Sequence, residues 1–274
     1  MIQELFHVGP FAISPFGVML VVAFLAAYWQ LANGMERLGV GDADAASALV
    51  FAGGVGGIVG AKIYYAILYR DWHLLFERYG LVWYGGFVLG TLAVLWVMRR
   101  RHLDVWGTVD ALTPALALGY GIGRIGCFLV GDDYGIPTSL PWGIAFRNGL
   151  PPTTAWNLRH EFGVAVPASV PDADLVRVHP TQLYETLLAI GIWLVGRRLL
   201  KRRRAAGDVA LPVLALLAVE RFAIEFLRAK DDRFLGPLTL AQAISLLVLV
   251  AVLLLGAAMR RRRSRAATAV APAR

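Results

Sequence analysis

The sequence predicts an all-α integral membrane protein, a bundle of seven transmembrane helices with a small irregular extracytoplasmic head. Three observations predict this class. Of the 274 residues, 58% are hydrophobic and the mean hydropathy is +0.60, whereas a soluble globule is about 45–50% apolar. Seven apolar runs are each long enough for a hydrocarbon core, which takes about 17–25 residues. The basic residues gather in short clusters between those runs, so the net charge of +8 marks topology and not a nucleic-acid partner.

The runs fall near 11–32, 46–68, 82–98, 108–130, 181–199, 209–227 and 238–258. Each must be helical, because an open strand leaves backbone groups unpaired in lipid. The first run is too long for a cleavable signal and has no basic segment ahead of it. One set of connections carries Arg37, Arg99 to Arg101, Arg197, Arg198, Lys201 to Arg204, Arg260 to Arg263, Arg265 and Arg274. The other carries Arg70, Arg78, Arg147, Arg159, Arg177, Arg228, Lys230 and Arg233. That is 16 basic residues against 8, which places the N-terminus outside and the C-terminus in the cytoplasm.

Residues 131–180 are the one long segment outside the runs. Their seven prolines, Pro137 to Pro180, rule out long helices, and Trp142 and Trp156 offer a little material for a core. The segment is expected to form an outward head, a lid or docking surface for a second substrate. Residues 1–130 and 181–263 form the bundle, and 264–274 a disordered cytoplasmic tail. No internal repeat supports an inverted-repeat transporter. The single cysteine, Cys127, excludes an intramolecular disulfide and a cysteine-based zinc cluster.

Three basic residues remain in or near apolar runs: Lys62, Arg124 and Arg221. An arginine in mid-span costs about 2.5–3.5 kcal/mol, so it marks a site more readily than decoration. Arg124 stands in Gly123-Arg124-Ile125-Gly126-Cys127-Phe128-Leu129-Val130-Gly131-Asp132-Asp133-Tyr134-Gly135, about two turns before an acidic pair. Cys127 reads as a small buried hydrophobe. Asp132 and Asp133 are either solvated or placed to hold an arginine or accept a proton. Arg221, Glu225 and Arg228 fall at i, i+4 and i+7 and share one helix face. They form either an internal ion-pair ladder or an anion site in which Glu225 orients the guanidiniums. A guanidinium fork grips two phosphate oxygens, which an ammonium cannot do. Lys62 follows a glycine-rich stretch, Gly53 to Gly60; it either snorkels to water or joins the site.

Val178-His179-Pro180-Thr181-Gln182-Leu183-Tyr184-Glu185 opens the fifth run. Pro180 suits the first helical position, making His179 the expected cap. An ordinary histidine pKa of about 6.5 also makes it a candidate proton acceptor. Trp83-Tyr84-Gly85-Gly86 opens the third run. Tyr84 is an interfacial aromatic or a site residue, and the glycine pair permits close backbone packing.

Together these blocks resemble the bacterial prolipoprotein diacylglyceryl transferase family. The block from Gly123 to Gly135 is similar to its signature of an arginine, an asparagine, an acidic residue and a closing glycine. His179 to Glu185 is similar to a second block, and Arg221 to Arg228 followed by Asp231 to a third. The resemblance implies a multi-pass enzyme of the bacterial inner membrane. Such enzymes move the diacylglyceryl group of phosphatidylglycerol to the lipobox cysteine of preprolipoproteins and release glycerol 1-phosphate, with no metal or organic cofactor. It implies that Arg124 and Arg221 hold the lipid phosphate, supported by Glu225 and Arg228, while Gln182 and Glu185 shape the cavity. Its motif positions add Lys62, Cys127 and Gly135 to the substrate-binding set.

Departures accompany the match. Tyr84 stands where the family has a histidine, Cys127 where it has the asparagine, Asp132 where it has a glutamate, Lys62 where it has an arginine, and Phe16-Gly17 where it has tyrosine-glycine. The base that activates the thiol is then Tyr84, Asp132, His179 or the phosphate itself. Two alternatives to the transferase stand beside it. One is a paralogue using the same lipid donor on another acceptor. The other is a non-catalytic phospholipid-binding or transport protein.

Overall fold

A computed structural model describes residues 2, 4–9, 11–76, 82–230, 233–235 and 238–270. Arg78, Asp231 and Arg274, singled out above, lie outside them. The long helices are α1 (Pro15–Leu38), α2 (Ala43–Tyr69), α3 (Trp83–Arg100), α4 (Val105–Val130), α6 (Thr181–Lys201), α7 (Ala210–Ile224) and α8 (Leu240–Val270), with a short α5 (Ala155–His160) between α4 and α6. Two antiparallel ribbons complete the described chain: β1 (Phe6–Val8) with β2 (Phe11–Ile13), and β3 (Arg233–Leu235) with β4 (Leu238–Thr239). Among the described residues four helices, α1, α2, α4 and α8, are long and apolar enough to cross a membrane. Large apolar side chains stay exposed along the helices, among them Phe51, Leu187, Leu247 and Leu254. A water-soluble monomer rarely shows apolar surface on that scale.

Local signals set the helix ends. Ser14 Oγ accepts from Gly17 N at 3.1 Å ahead of Pro15, Asp42 from Ala45 N at 2.8 Å, and Asp104 from Gly107 N at 2.6 Å. Each oxygen satisfies a donor that the first helical turn leaves open. The first helix therefore begins at Pro15, and residues 11–13 pair as strand instead of extending it. At the other end α8 continues to Val270, across residues expected to lack structure; 271–274 lie outside the described residues.

α2 and α3 form a tight hairpin. A Cβ on Gly60 or Gly85 would strike the other's backbone carbonyl oxygen, so the stretch Gly53 to Gly60 serves helix contact. α1 packs on α2 and α4, and α4 packs on α6 and α7. One core joins Leu31, Met35, Leu49, Met98 and Ala111; a second joins Ala117, Ile192, Val209 and Val213. The end of the bundle near Asp110 is pinned by that residue. Its fully buried carboxylate accepts from Arg203 Nε at 2.7 Å, Gly207 N at 2.9 Å and Ala210 N at 2.7 Å. α4 thereby caps the start of α7.

Residues 131–180 fold over the opposite end around Tyr134, Phe146, Leu158 and Val178, with Ala229 joining from beyond α7. Trp142 and Trp156 are not that core: they are 55% and 46% exposed. The smaller Phe146 is fully buried, stacked on Tyr134 at 5.5 Å.

Candidate active site

The polar residues of α4, α6 and α7 converge where residues 131–180 meet the bundle. Gly121 of α4 sits against α6, where an added Cβ would lie 3.0 Å from Ala189 Cβ. This close crossing brings Arg124 to Glu185, whose carboxylate is buried and organises the cluster. Arg124 Nε donates to Glu185 Oε2 at 2.6 Å, and Nη2 donates to the same oxygen. Arg124 Nη1 donates to Asp133 Oδ2 at 2.9 Å and lies 3.4 Å from Cys127 Sγ. From α7, Arg221 Nη1 stands 3.9 Å from the other oxygen, Glu185 Oε1, while Nη2 pairs with Glu225 Oε2 at 2.6 Å. Tyr120 donates to Glu185 Oε1 at 2.8 Å and stands 3.5 Å from Glu220 Oε1.

Arg228 departs from the expected helix face. α7 ends at Ile224, a 3-10 turn takes Glu225–Leu227, and Arg228 is extended, with φ −78° and ψ 140°. Backbone pairing holds it out: Ile136 N donates to Leu227 O at 2.8 Å and Ala229 N to Tyr134 O at 3.2 Å. The guanidinium consequently pairs with Asp133 Oδ1, and its Nε is 3.8 Å from Glu225. Asp133 thus bridges two arginines from a left-handed backbone, φ +56°, a conformation that aspartate tolerates better than most residues.

Asp132 turns elsewhere. Its backbone carbonyl accepts from Gln182 Nε2, and its carboxyl lies with Cys127 and Asp133 in a group of possible ligand atoms within 4.8 Å of one another. Arg124 and Arg228 occupy the Asp133 oxygens, so the group is an arginine clamp and a poor cation site. Burial, then the Asp133 charge, pushes the Asp132 carboxyl up to about 6. Burial would also raise Asp133, but Arg228 and then Arg124 outweigh it and hold that carboxyl at about 2.

The structure corrects the cap assignment for α6. Thr181 is the first helical residue and Pro180 the cap, with no side-chain capping bond; Thr181 Oγ1 instead donates to Asp133 O at 2.9 Å. His179 Nδ1 lies 3.2 Å from Tyr184 Oη, which accepts from Trp142 Nε1 at 2.7 Å, and burial lowers its pKa. Gly135 is fixed by crowding: a Cβ would strike Leu227 O and lie 2.8 Å from both His179 Cβ and Thr181 Cγ2. Lys62 and Tyr84 belong to α2 and α3, and Lys62 Nζ reaches Leu74 O at 3.5 Å.

Asp133 holds arginines, one of the two roles its sequence position allows, whereas Tyr120 and Glu220 are site residues that the motifs do not include. The signal was there: Glu220 is an acid inside an apolar run, and Tyr120 lies one helical turn before Arg124. Several buried polar atoms lack a hydrogen-bond partner here, including Arg221 Nη1, Arg228 Nε, Gln182 Oε1 and Asp132 Oδ1. Of the three guanidiniums Arg221 is the most open, at 30% side-chain exposure against 10% for Arg124 and 11% for Arg228.

Fold and site together define a helical membrane protein with a buried arginine–carboxylate cluster at one end of its bundle. The chain belongs to the prolipoprotein diacylglyceryl transferase family, whose model matches residues 3–258. It is 30% identical over 270 residues to a Vibrio cholerae protein named phosphatidylglycerol–prolipoprotein diacylglyceryl transferase, covering 92% of this chain and 89% of the relative. Proteins of the same name from Chromohalobacter salexigens and Methylobacillus flagellatus are 31% and 29% identical. The first match covers 82% of this chain and 78% of the relative, the second 85% of each.

Proposed function

We propose that this protein is an enzyme that transfers the diacylglyceryl group of phosphatidylglycerol to the lipobox cysteine thiol of preprolipoproteins, releasing glycerol 1-phosphate. The observation that carries the reading is the meeting of Arg124 and Arg221, from two helices, on the two oxygens of Glu185, inside the region matched by the family.

In this reaction the substrate sulfur forms a bond to the lipid carbon bearing the phosphate oxygen, and that C–O bond breaks. The thiol proton goes to a base, and the phosphodiester leaves as a monoester with one more negative charge. Fixed guanidiniums offset that charge best where water is excluded. Carboxylates already occupy much of the arginine forks, so the lipid phosphate must exchange with carboxylate oxygens. Arg221 receives it first, being the most open and having a buried Nη1 without a hydrogen bond. Glu185, Glu225 and Asp133 orient the guanidiniums of Arg124, Arg221 and Arg228, while Gln182 steadies the turn at Asp132.

Asp132 is the base. It lies beside the arginine cluster, and a carboxyl at about 6 is largely ionised at neutral pH while still able to accept a proton. Asp132 is preferred to Tyr84 and His179 because its carboxyl lies within 4.8 Å of that of Asp133, which Arg124 and Arg228 hold. Cys127, Lys62 and Gly135 line or support the surroundings.

Seven spans complete the architecture, α3, α6 and α7 joining the four most apolar helices. The N-terminus is outside, the C-terminus is in the cytoplasm, and residues 131–180 face outward from a bacterial inner membrane as a separate head. The asymmetry of 16 basic residues against 8 supports this orientation.

The test is transfer of radiolabel from glycerol-chain-labelled phosphatidylglycerol to a lipobox peptide by the purified chain. Label should reach the peptide with the native protein and fail to do so with Arg221→Ala. Well-folded native protein that labels no lipobox peptide would sink the reading; glycerol phosphate release without peptide labelling would point to another acceptor.

A further inference from the structure

At the end of the bundle opposite the arginine cluster, α6, α7 and α8 enclose a groove of about 530 Å³. Its walls are apolar, with Leu211 and Pro212 of α7 facing Val252, Leu253 and Met259 of α8. Its rim is basic, carrying Arg202 from the end of α6 and Arg260 and Arg263 from α8.

Charge pairing at this end is incomplete. Asp110 takes Arg203, at 2.7 Å. Asp208 takes Arg263, at 3.0 Å, and Arg263 Nη2 also donates to Ala206 O. Among the described residues no carboxylate pairs with Arg202 or Arg260; Arg260 Nε reaches only Gly256 O of its own helix, at 3.4 Å. Two exposed guanidiniums are therefore left uncompensated above an apolar slot.

An apolar slot alone would accept any acyl chain, and a basic rim alone would accept any small anion. Their combination selects a molecule with both parts. We propose that this groove binds an anionic phospholipid of the leaflet at this end of the bundle. Its phosphate lies at the rim between Arg202 and Arg260, and one acyl chain runs along the wall formed by Leu211 and Leu253. Basic pockets between membrane helices suit lipid head groups, and guanidinium forks match phosphate oxygens. The bound lipid would brace α8, which packs chiefly against α7, against the end of α6. The site is independent of the transferase reading, because it shares no residue with the arginine cluster.

The test is native mass spectrometry of the full chain in detergent, with phosphatidylserine or phosphatidylcholine of matched chains added. Phosphatidylserine is anionic and is not the proposed donor lipid. The native chain should retain one phosphatidylserine about 30-fold better than phosphatidylcholine, about fivefold for each of two arginines near a bilayer surface. Arg202→Gln with Arg260→Gln should bring the two lipids to near parity. Leu211→Trp, which fills the slot and leaves the charges, should weaken retention of both. Arg147→Gln, an exposed charge of the 131–180 segment outside both clusters, should keep the preference. The proposal is overturned by equal retention of both lipids in the native chain, by a preference that survives the double variant, or by Leu211→Trp having no effect. Loss of the preference in Arg147→Gln, or displacement of the lipid by millimolar inorganic phosphate, would overturn it equally.

Discussion

Arg124 and Arg221 share one anion: from α4 and α7 they address opposite oxygens of the Glu185 carboxylate, the first at 2.6 Å and the second at 3.9 Å. They are not equivalent. Arg124 is enclosed and held by two carboxylates, whereas Arg221 is three times as exposed along its side chain. A substrate phosphate therefore meets one arginine that is free to re-pair and one that is fixed in place.

Arg221→Ala should leave a folded protein whose transfer rate falls by about 10²–10³, the loss typical of removing one donor to a developing oxyanion. Arg124→Ala should lose activity and stability together, since Glu185 would lose its nearest guanidinium and Asp133 one of its two. Melting in detergent beside a radiolabel transfer assay separates the two. Equal destabilisation by both variants would contradict the division.

Glu185→Gln keeps the shape of the side chain and removes its charge. Breaking a buried ion pair costs about 3–5 kcal/mol, so denaturant unfolding in detergent should show a loss approaching that size. Arg124 retains Asp133, which sets the lower end of the range for this variant. A change below about 1 kcal/mol, no more than an exposed pair is worth, would mean that Glu185 does not organise the cluster.

Asp132 gives stability and activity opposite pH dependences. Its carboxyl is raised from 3.8 to about 6, so between those values the folded state binds more protons than the unfolded state. Its contribution to stability is full below 3.8 and is lost as pH rises through about 6. As the base it must be ionised, so the transfer rate should climb across the same inflection. Asp132→Asn should abolish both dependences and lower the rate by about 10²–10⁴. Tyr84→Phe should change the rate by less than about tenfold, and Tyr84→His should not rescue Asp132→Asn. A larger fall in Tyr84→Phe would transfer the proton to the tyrosine.

Gly135→Ala should destabilise the fold by about 1–3 kcal/mol, the range for overpacking, because Leu227 O is backbone and cannot yield like a flexible side chain. The shift also moves the segment carrying Arg228 away from Asp133, so activity should fall with the melting temperature. An unchanged melting temperature would show that the crowding is relieved at no cost.

Much of this could be read without coordinates. The four helices apolar enough to span were all among the seven expected runs, and Arg124 and Arg221 stood out because a charge in an apolar run is costly wherever the run packs. Helical spacing sets Glu225 one turn from Arg221, and the 2.6 Å pair is there. Spacing fails where pairing crosses the chain. The face shared by Arg221, Glu225 and Arg228 assumed an unbroken helix, but the backbone pairing of Leu227 and Ala229 with residues 134–136 ends it. The two tryptophans of the 131–180 segment looked like its core and lie outside it, because Phe146 fills the space against Tyr134.

The sequence by itself determined which groups cannot be left facing lipid: a local cost, fixed by residue type and by the length of the apolar run around it. Only the tertiary structure decided which of them meet. Arg124 and Glu185 are 61 residues apart, and Tyr120 and Glu220 are 100 apart. Their distances depend on how α4, α6 and α7 cross, and close contacts such as Gly121 against Ala189 set that crossing. Choosing Asp133 over its neighbour Asp132 as the arginine bridge required the left-handed turn that aims one carboxylate at the guanidiniums and leaves the other beside Cys127.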